Sequence, residues 1–178
     1  MRVAVTGSNG LVGTALAGAL TGAGHLVIHL VRRPARLAAP AASAGAANGD
    51  PRTRSAAREE VSWDPDAGTI DANALRAIDA VVHLAGAPIG LRWSAERKAL
   101  MRDSRVKGTG LIARTVAGLD PRPRVLVCAS AYGYYGDRGD ELLTEDSPPG
   151  RGFLADMAMQ WEAAAQPARE AGLRVVHT

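Results

Sequence analysis

The chain has 178 residues, a formal net charge of +3 and an apolar fraction of 47%, enough for one domain that buries roughly two-thirds of its unfolded surface without staples. Its single cysteine, Cys128, excludes an internal disulfide, and the four histidines lack metal-site spacing. No run reaches the roughly eighteen apolar residues of a membrane span, and acidic residues interspersed with the basic ones speak against a nucleic-acid face. The expected setting is reducing and cytoplasmic, with neither membrane nor nucleic acid as a partner.

In chain order, "RVAVTG" reads as a short buried strand ending in glycine. "LVGTALAGALTGAG" has helical apolar spacing with Gly24 placed to stop it, and "HLVIHLV" reads as a second buried strand. Together they make a βαβ unit of about 30 residues. Residues 34–60 are rich in Ala, Pro, Gly and Ser, which predicts a mobile surface insertion before a third short strand at Val61–Trp63. The pattern then resumes with a strand in "AIDAVVHLAG", a long helix capped by Ser94, a strand in "RVLVCAS", a helix from Phe153 and a strand in "LRVVHT". Pro167 falls inside that last helical pattern and predicts a break within a residue or two. Alternating strands and helices predict an α/β, Rossmann-like, doubly wound parallel sheet in three layers, with about six strands and one domain over residues 1–178.

"TGSNGLVG" spaces Gly7, Gly10 and Gly13 as G-x-x-G-x-x-G at a strand-to-helix turn, with Ser8, Asn9, Leu11 and Val12 between them. Gly7 suits a tight turn, Gly10 lets backbone approach a pyrophosphate, and Gly13 lets the helix pack against the strand. The helix N-terminus beyond offers N–H groups and a positive dipole end. In this context the loop predicts dinucleotide binding. The acidic residue that would bond an NAD ribose is absent from the end of the second strand, which reads Val31-Arg32-Arg33-Pro34. Two guanidiniums there suit a 2′-phosphate, so NADP(H) is expected over NAD(H).

That loop, "HLAG" at 83–86 and the serine-bearing strand end at Ser130 resemble the extended short-chain dehydrogenase/reductase superfamily. "HLAGAPIGLRWSAERKALMRDSRVKGT", "SAYGYYGDRGDELLTEDSPPG" and "FLADMAMQWEAAA" are similar to its atypical NAD-dependent epimerase/dehydratase, or sugar-nucleotide epimerase-like, subfamily. Outside residues 34–60 the resemblance covers the chain. It implies that Asp64 or its neighbours border the adenine, that Leu84, Ala85 and Gly86 line the cofactor, and that Ser130 bonds the reacting oxygen of an unidentified small-molecule substrate. It also implies a substrate or cofactor loop at Pro88–Trp93 carrying Arg92.

Two departures accompany the match. The superfamily's Tyr-x-x-x-Lys acid/base pair corresponds to Leu154 and Ala158, and the asparagine that often precedes V-x-G-T is replaced by Arg105. Family members usually continue past the sixth strand into a C-terminal substrate-binding region, whereas this chain stops at His177-Thr178. A hydride transfer needs a proton source beside the reacting oxygen. The phenols of Tyr134 and Tyr135 near Ser130 are the candidates, and Arg105, Lys107 and Arg138 are the cations available to tune them. Two readings stand: an NADP(H)-binding epimerase or oxidoreductase, and an NADP(H)-binding protein without turnover.

Overall fold

The computed structural model describes residues 1–32 and 59–178. The expected insertion at 34–60 lies almost wholly outside the described residues, as does Arg33. The strands are β1 (Arg2–Thr6), β2 (Leu26–Arg32), β3 (Glu59–Asp64), β4 (Thr69–Ile70), β5 (Ala80–His83), β6 (Val125–Cys128) and β7 (Arg174–His177). They form one sheet in the order β4-β3-β2-β1-β5-β6-β7, parallel except where β4 pairs antiparallel with β3. Without the two-residue β4 the order is the doubly wound 3-2-1-4-5-6. The seventh strand goes beyond the expected six. It arises because Asp64 Oδ1 accepts hydrogen bonds from the Asp66 and Ala67 N–H groups at 3.0 and 3.1 Å, turning the chain back through Gly68 at φ +68°.

The helices are α1 (Leu11–Gly22), α2 (Ala95–Ala117), α3 (Phe153–Ala163) and α4 (Gln166–Glu170). Helix α1 stops where Gly24 takes φ +79°, and α2 starts where Ser94 Oγ accepts the Arg97 N–H at 3.2 Å. Pro167 sits in the first turn of α4, where its missing N–H costs no helical bond, so the helical pattern breaks just before it.

Alternation along the strands sorts side chains to two faces. Val3, Val5 and Val27 pack with Ala17 of α1 on one side. Ala4, Ile28, Leu30, Val81 and Leu126 pack with Ile112, Val116, Ala165 and Leu173 on the other. A parallel sheet covered on both faces presents functional loops at its C-terminal edge, and β1 is where the strand order reverses.

Candidate functional site: a cleft at the switch point

A cleft of about 580 Å³ opens over the C-terminal ends of β1, β2, β3 and β5. Its floor is Gly7, Ser8, Asn9 and Gly10. One end carries Leu30, Val31, Arg32, Trp63 and Pro65, the other Leu84, Ala85, Gly86, Ala87 and Pro88 with Leu100 and Ser104 of α2. That volume suits a cofactor-sized ligand.

The glycine loop is shaped by three separate constraints. Gly7 has φ +66°, and a Cβ there would meet the Leu84 carbonyl at 2.9 Å. Gly13 lies so close under the loop that a Cβ would meet Gly7 O at 2.2 Å. Gly10, by contrast, would meet only Gly7 O at 3.3 Å and is the N-cap of α1, with no side-chain capping bond. The first turn of α1 therefore presents N–H groups to the cleft mouth beside exposed Leu11 and Val12.

The opposite wall is fixed from beneath. Thr6 Oγ1 accepts the Leu84 and Ala85 N–H groups at 3.0 and 3.2 Å and lies 2.7 Å from His83 Nδ1. With both lone pairs engaged, the hydroxyl must donate to Nδ1, so the neutral imidazole carries its proton on Nε2. Nε2 has no hydrogen-bond partner, and the ring meets Trp63 edge-on at 5.9 Å. Burial lowers the His83 pKa to about 4. It is a structural, uncharged histidine, in keeping with its place inside "HLAG".

Among the expected cofactor residues, Gly7, Ser8, Asn9, Gly10, Arg32, Leu84, Ala85 and Gly86 line the cleft. Arg32 is about half exposed and ion-pairs with Asp66. Asp64 caps its turn while its neighbours Trp63 and Pro65 face the cleft, and Arg92 is exposed and lines neither cavity. Sequence reasoning missed Leu100 and Ser104, although their four-residue spacing puts them on one face of α2.

A second cavity, about 610 Å³, gathers Ser130, Tyr132, Tyr134, Tyr135, Glu145, Glu162, His177 and Thr178 over the ends of β6 and β7. The structure thus brings Ser130, Tyr134 and Tyr135 together, in this cavity and not in the first cleft. Tyr132–Tyr135 is a 3-10 helix in which the rings of Tyr134 and Tyr135 meet edge-on at 5.2 Å, while Tyr132 is exposed. Ser130 Oγ bonds Glu162 Oε1 at 2.5 Å, and His177 Nδ1 lies 3.9 Å from the same oxygen. His177 has no hydrogen-bond partner on either nitrogen, and burial lowers its pKa against the opposing pull of the Glu162 carboxylate. Glu162 and His177 went unread because only the pairing of β6 with β7 and the inward turn of α3 bring them to Ser130. Ala158 is fully buried, while Leu154 is half-buried and lies against the 3-10 helix, where a Cβ on Gly133 would meet Leu154 Cβ at 3.2 Å. Met157 and Trp161 on the same helix are buried core residues. No group of three His, Cys, Asp or Glu fit to hold a metal occurs among the described residues.

The strand order, the switch-point cleft and the glycine loop define a Rossmann-type dinucleotide fold. The match to known proteins narrows it: the chain belongs to the NAD dependent epimerase/dehydratase family, whose model matches residues 3–177. It is 41% identical over 175 residues to an epimerase family protein of Mycobacterium bovis, covering 98% of this chain and 51% of that one. It is 33% identical to a chloroplastic epimerase family protein of Arabidopsis thaliana, covering 96% and 46%. The human epimerase family protein SDR39U1, solved with NADPH, superposes with a TM-score of 0.74 at 27% identity, covering 99% of this chain and 52% of that one. A nucleoside-diphosphate sugar epimerase of Corynebacterium glutamicum gives the same TM-score at 38% identity, covering 99% and 33%. The chain spans about half the length of the Mycobacterium bovis, Arabidopsis thaliana and human relatives and a third of the Corynebacterium glutamicum one.

Proposed function

We propose that this chain carries the NADP(H)-binding portion of an epimerase or oxidoreductase of the extended short-chain dehydrogenase/reductase type. The observation that carries the reading is the cradle at Gly7, Gly10 and Gly13. Side chains are excluded at two of the three positions, and the uncapped end of α1 faces the space left over the third. Gly7 to Gly13 would hold the pyrophosphate, Arg32 with Arg33 the 2′-phosphate, and Leu84 to Gly86 the far ribose. A nicotinamide bound there supplies or accepts hydride. The human relative solved with NADPH supports the cofactor, and the Corynebacterium glutamicum relative, a nucleoside-diphosphate sugar epimerase, supports a sugar nucleotide or similar small molecule as the substrate class.

Ser130 would orient the substrate oxygen, with Tyr134 or Tyr135 moving the proton. Assays of Tyr134→Phe, Tyr135→Phe and the double variant with nucleoside-diphosphate sugars test this role. Loss of at least 100-fold, roughly the lower limit for general acid–base catalysis, is expected in one of the three. Full activity in all three removes the phenols from the chemistry. Leu154 and Ala158, neither of which can move a proton, stand where the superfamily carries its Tyr-x-x-x-Lys pair and favour a second reading, binding of NADP(H) without turnover. Its mark would be tight NADPH binding together with no isomerisation or oxidation of any such sugar.

A further inference from the structure

Arg105 is held unlike Arg138 and Lys107, the other two cations expected to tune the phenols. Arg138 pairs with Glu141 at 2.7 Å, and Lys107 lies 3.9 Å from Asp103. Among the described residues Arg105 has no carboxylate partner: Nη1 donates to Ala87 O and Met101 O, both at 3.0 Å, and Nε is buried without a partner. The guanidinium lies 5.1 Å from the Trp161 ring centroid, and that ring is itself pinned by Trp161 Nε1 donating to Thr109 Oγ1 at 2.9 Å. On its other side it abuts Gly86, where a Cβ would meet Cζ at 3.1 Å and Nη2 at 3.3 Å. Gly86 is therefore a one-residue wall, with the cleft on one side and a fixed, unneutralised positive charge on the other.

Topology says which half of a dinucleotide meets that charge. The strand order reverses at β1, so the β2–β3 side, with Arg32, Trp63 and Pro65, takes the adenosine half. The β5 side, with Gly86 and Ala87, takes the nicotinamide half. Oxidised and reduced cofactor carry the same phosphates and differ by one positive charge on the nicotinamide ring. We propose that Arg105 sets the redox preference of the site, disfavouring the cationic ring so that NADPH binds more tightly than NADP⁺. A couple whose reduced form is bound more tightly is a stronger oxidant while bound. This rests on the dinucleotide reading above and adds to it the residue that discriminates the two forms.

The test is titration of NADPH and of NADP⁺ into the chain and into Arg105→Lys, Arg105→Gln and Arg105→Met. Unit charges about a nanometre apart near a protein surface interact strongly enough for a preference on the order of tenfold. That preference is expected in the parent chain, is kept by Arg105→Lys, and falls towards unity in folded Arg105→Gln or Arg105→Met, through tighter binding of NADP⁺. Should both neutral variants fail to fold, the parent ratio measured at low and high salt serves instead, and it must shrink as salt screens the charge. A ratio unchanged in a folded neutral variant, or by salt, overturns the proposal and leaves dinucleotide binding intact. Binding of neither nucleotide to the parent overturns the dinucleotide reading, and this proposal with it.

Discussion

The hydroxyl of Thr6 links three parts of the site: β1, the β5 end that walls the cleft, and the buried ring of His83. Thr6→Val keeps the shape and removes the oxygen, leaving the Leu84 and Ala85 N–H groups and His83 Nδ1 without their partner. A loss of about 2–4 kcal/mol is expected by denaturant unfolding, with Thr6→Ser recovering most of it. The same ring makes stability depend on pH. Its folded pKa of about 4 lies below the ordinary 6.5, so between those values the unfolded chain binds the proton and the folded chain does not. Stability is therefore complete above about pH 6.5 and declines as pH falls towards 4, by roughly 3 kcal/mol from this residue. Comparing unfolding at pH 7 and pH 4.5 in the parent and in His83→Gln measures it. An equal pH dependence in both would remove His83 as the cause. Cys128 behaves differently: burial pushes its thiol up to about 12, leaving it inert to oxidation and alkylation in the folded chain.

At the scale of elements, glycines in one helix have opposite meanings. Gly13→Ala drives a methyl into Gly7 O and is expected to destabilise the loop and weaken NADPH binding at least tenfold. Gly18→Ala, on the exposed face of α1 with nothing within 4 Å of the new Cβ, should stabilise by about 0.5–1 kcal/mol. Thermal unfolding and titration of the pair separate steric fit from helix propensity. Similar effects of both substitutions would show that the close approach is unimportant. Much of this frame was legible in the chain because aliphatic runs, Gly24, Ser94 and Pro167 are local signals. Strand β4 was not, since two residues carry no periodicity and only the turn chemistry of "DPDAG" announces them. The Ser130–Glu162–His177 assembly was also out of reach. Nothing local in the sequence says that Glu162 turns towards Ser130 at the end of β6.

At the scale of the molecule, the two cavities lie over different strands of the sheet. The switch-point cleft lies over β1 to β3 and β5, and the phenols, Ser130 and Glu162 lie over β6 and β7. Among the described residues no helix is long and apolar enough to cross a membrane. The Mycobacterium bovis and human relatives are about twice as long as this chain.

A cleft that takes a phosphorylated dinucleotide is distinguished by calorimetric titration of NADPH and NADH into the parent chain and into the double variant Arg32→Ala, Arg33→Ala. NADPH should bind the parent more tightly than NADH, by on the order of tenfold or more for two charge-assisted contacts, and the double variant should lose that difference while keeping its affinity for NADH. Equal or tighter binding of NADH by the parent, an unchanged preference in the variant, or no binding of either nucleotide would mean that the two arginines do not select a 2′-phosphate in this cleft.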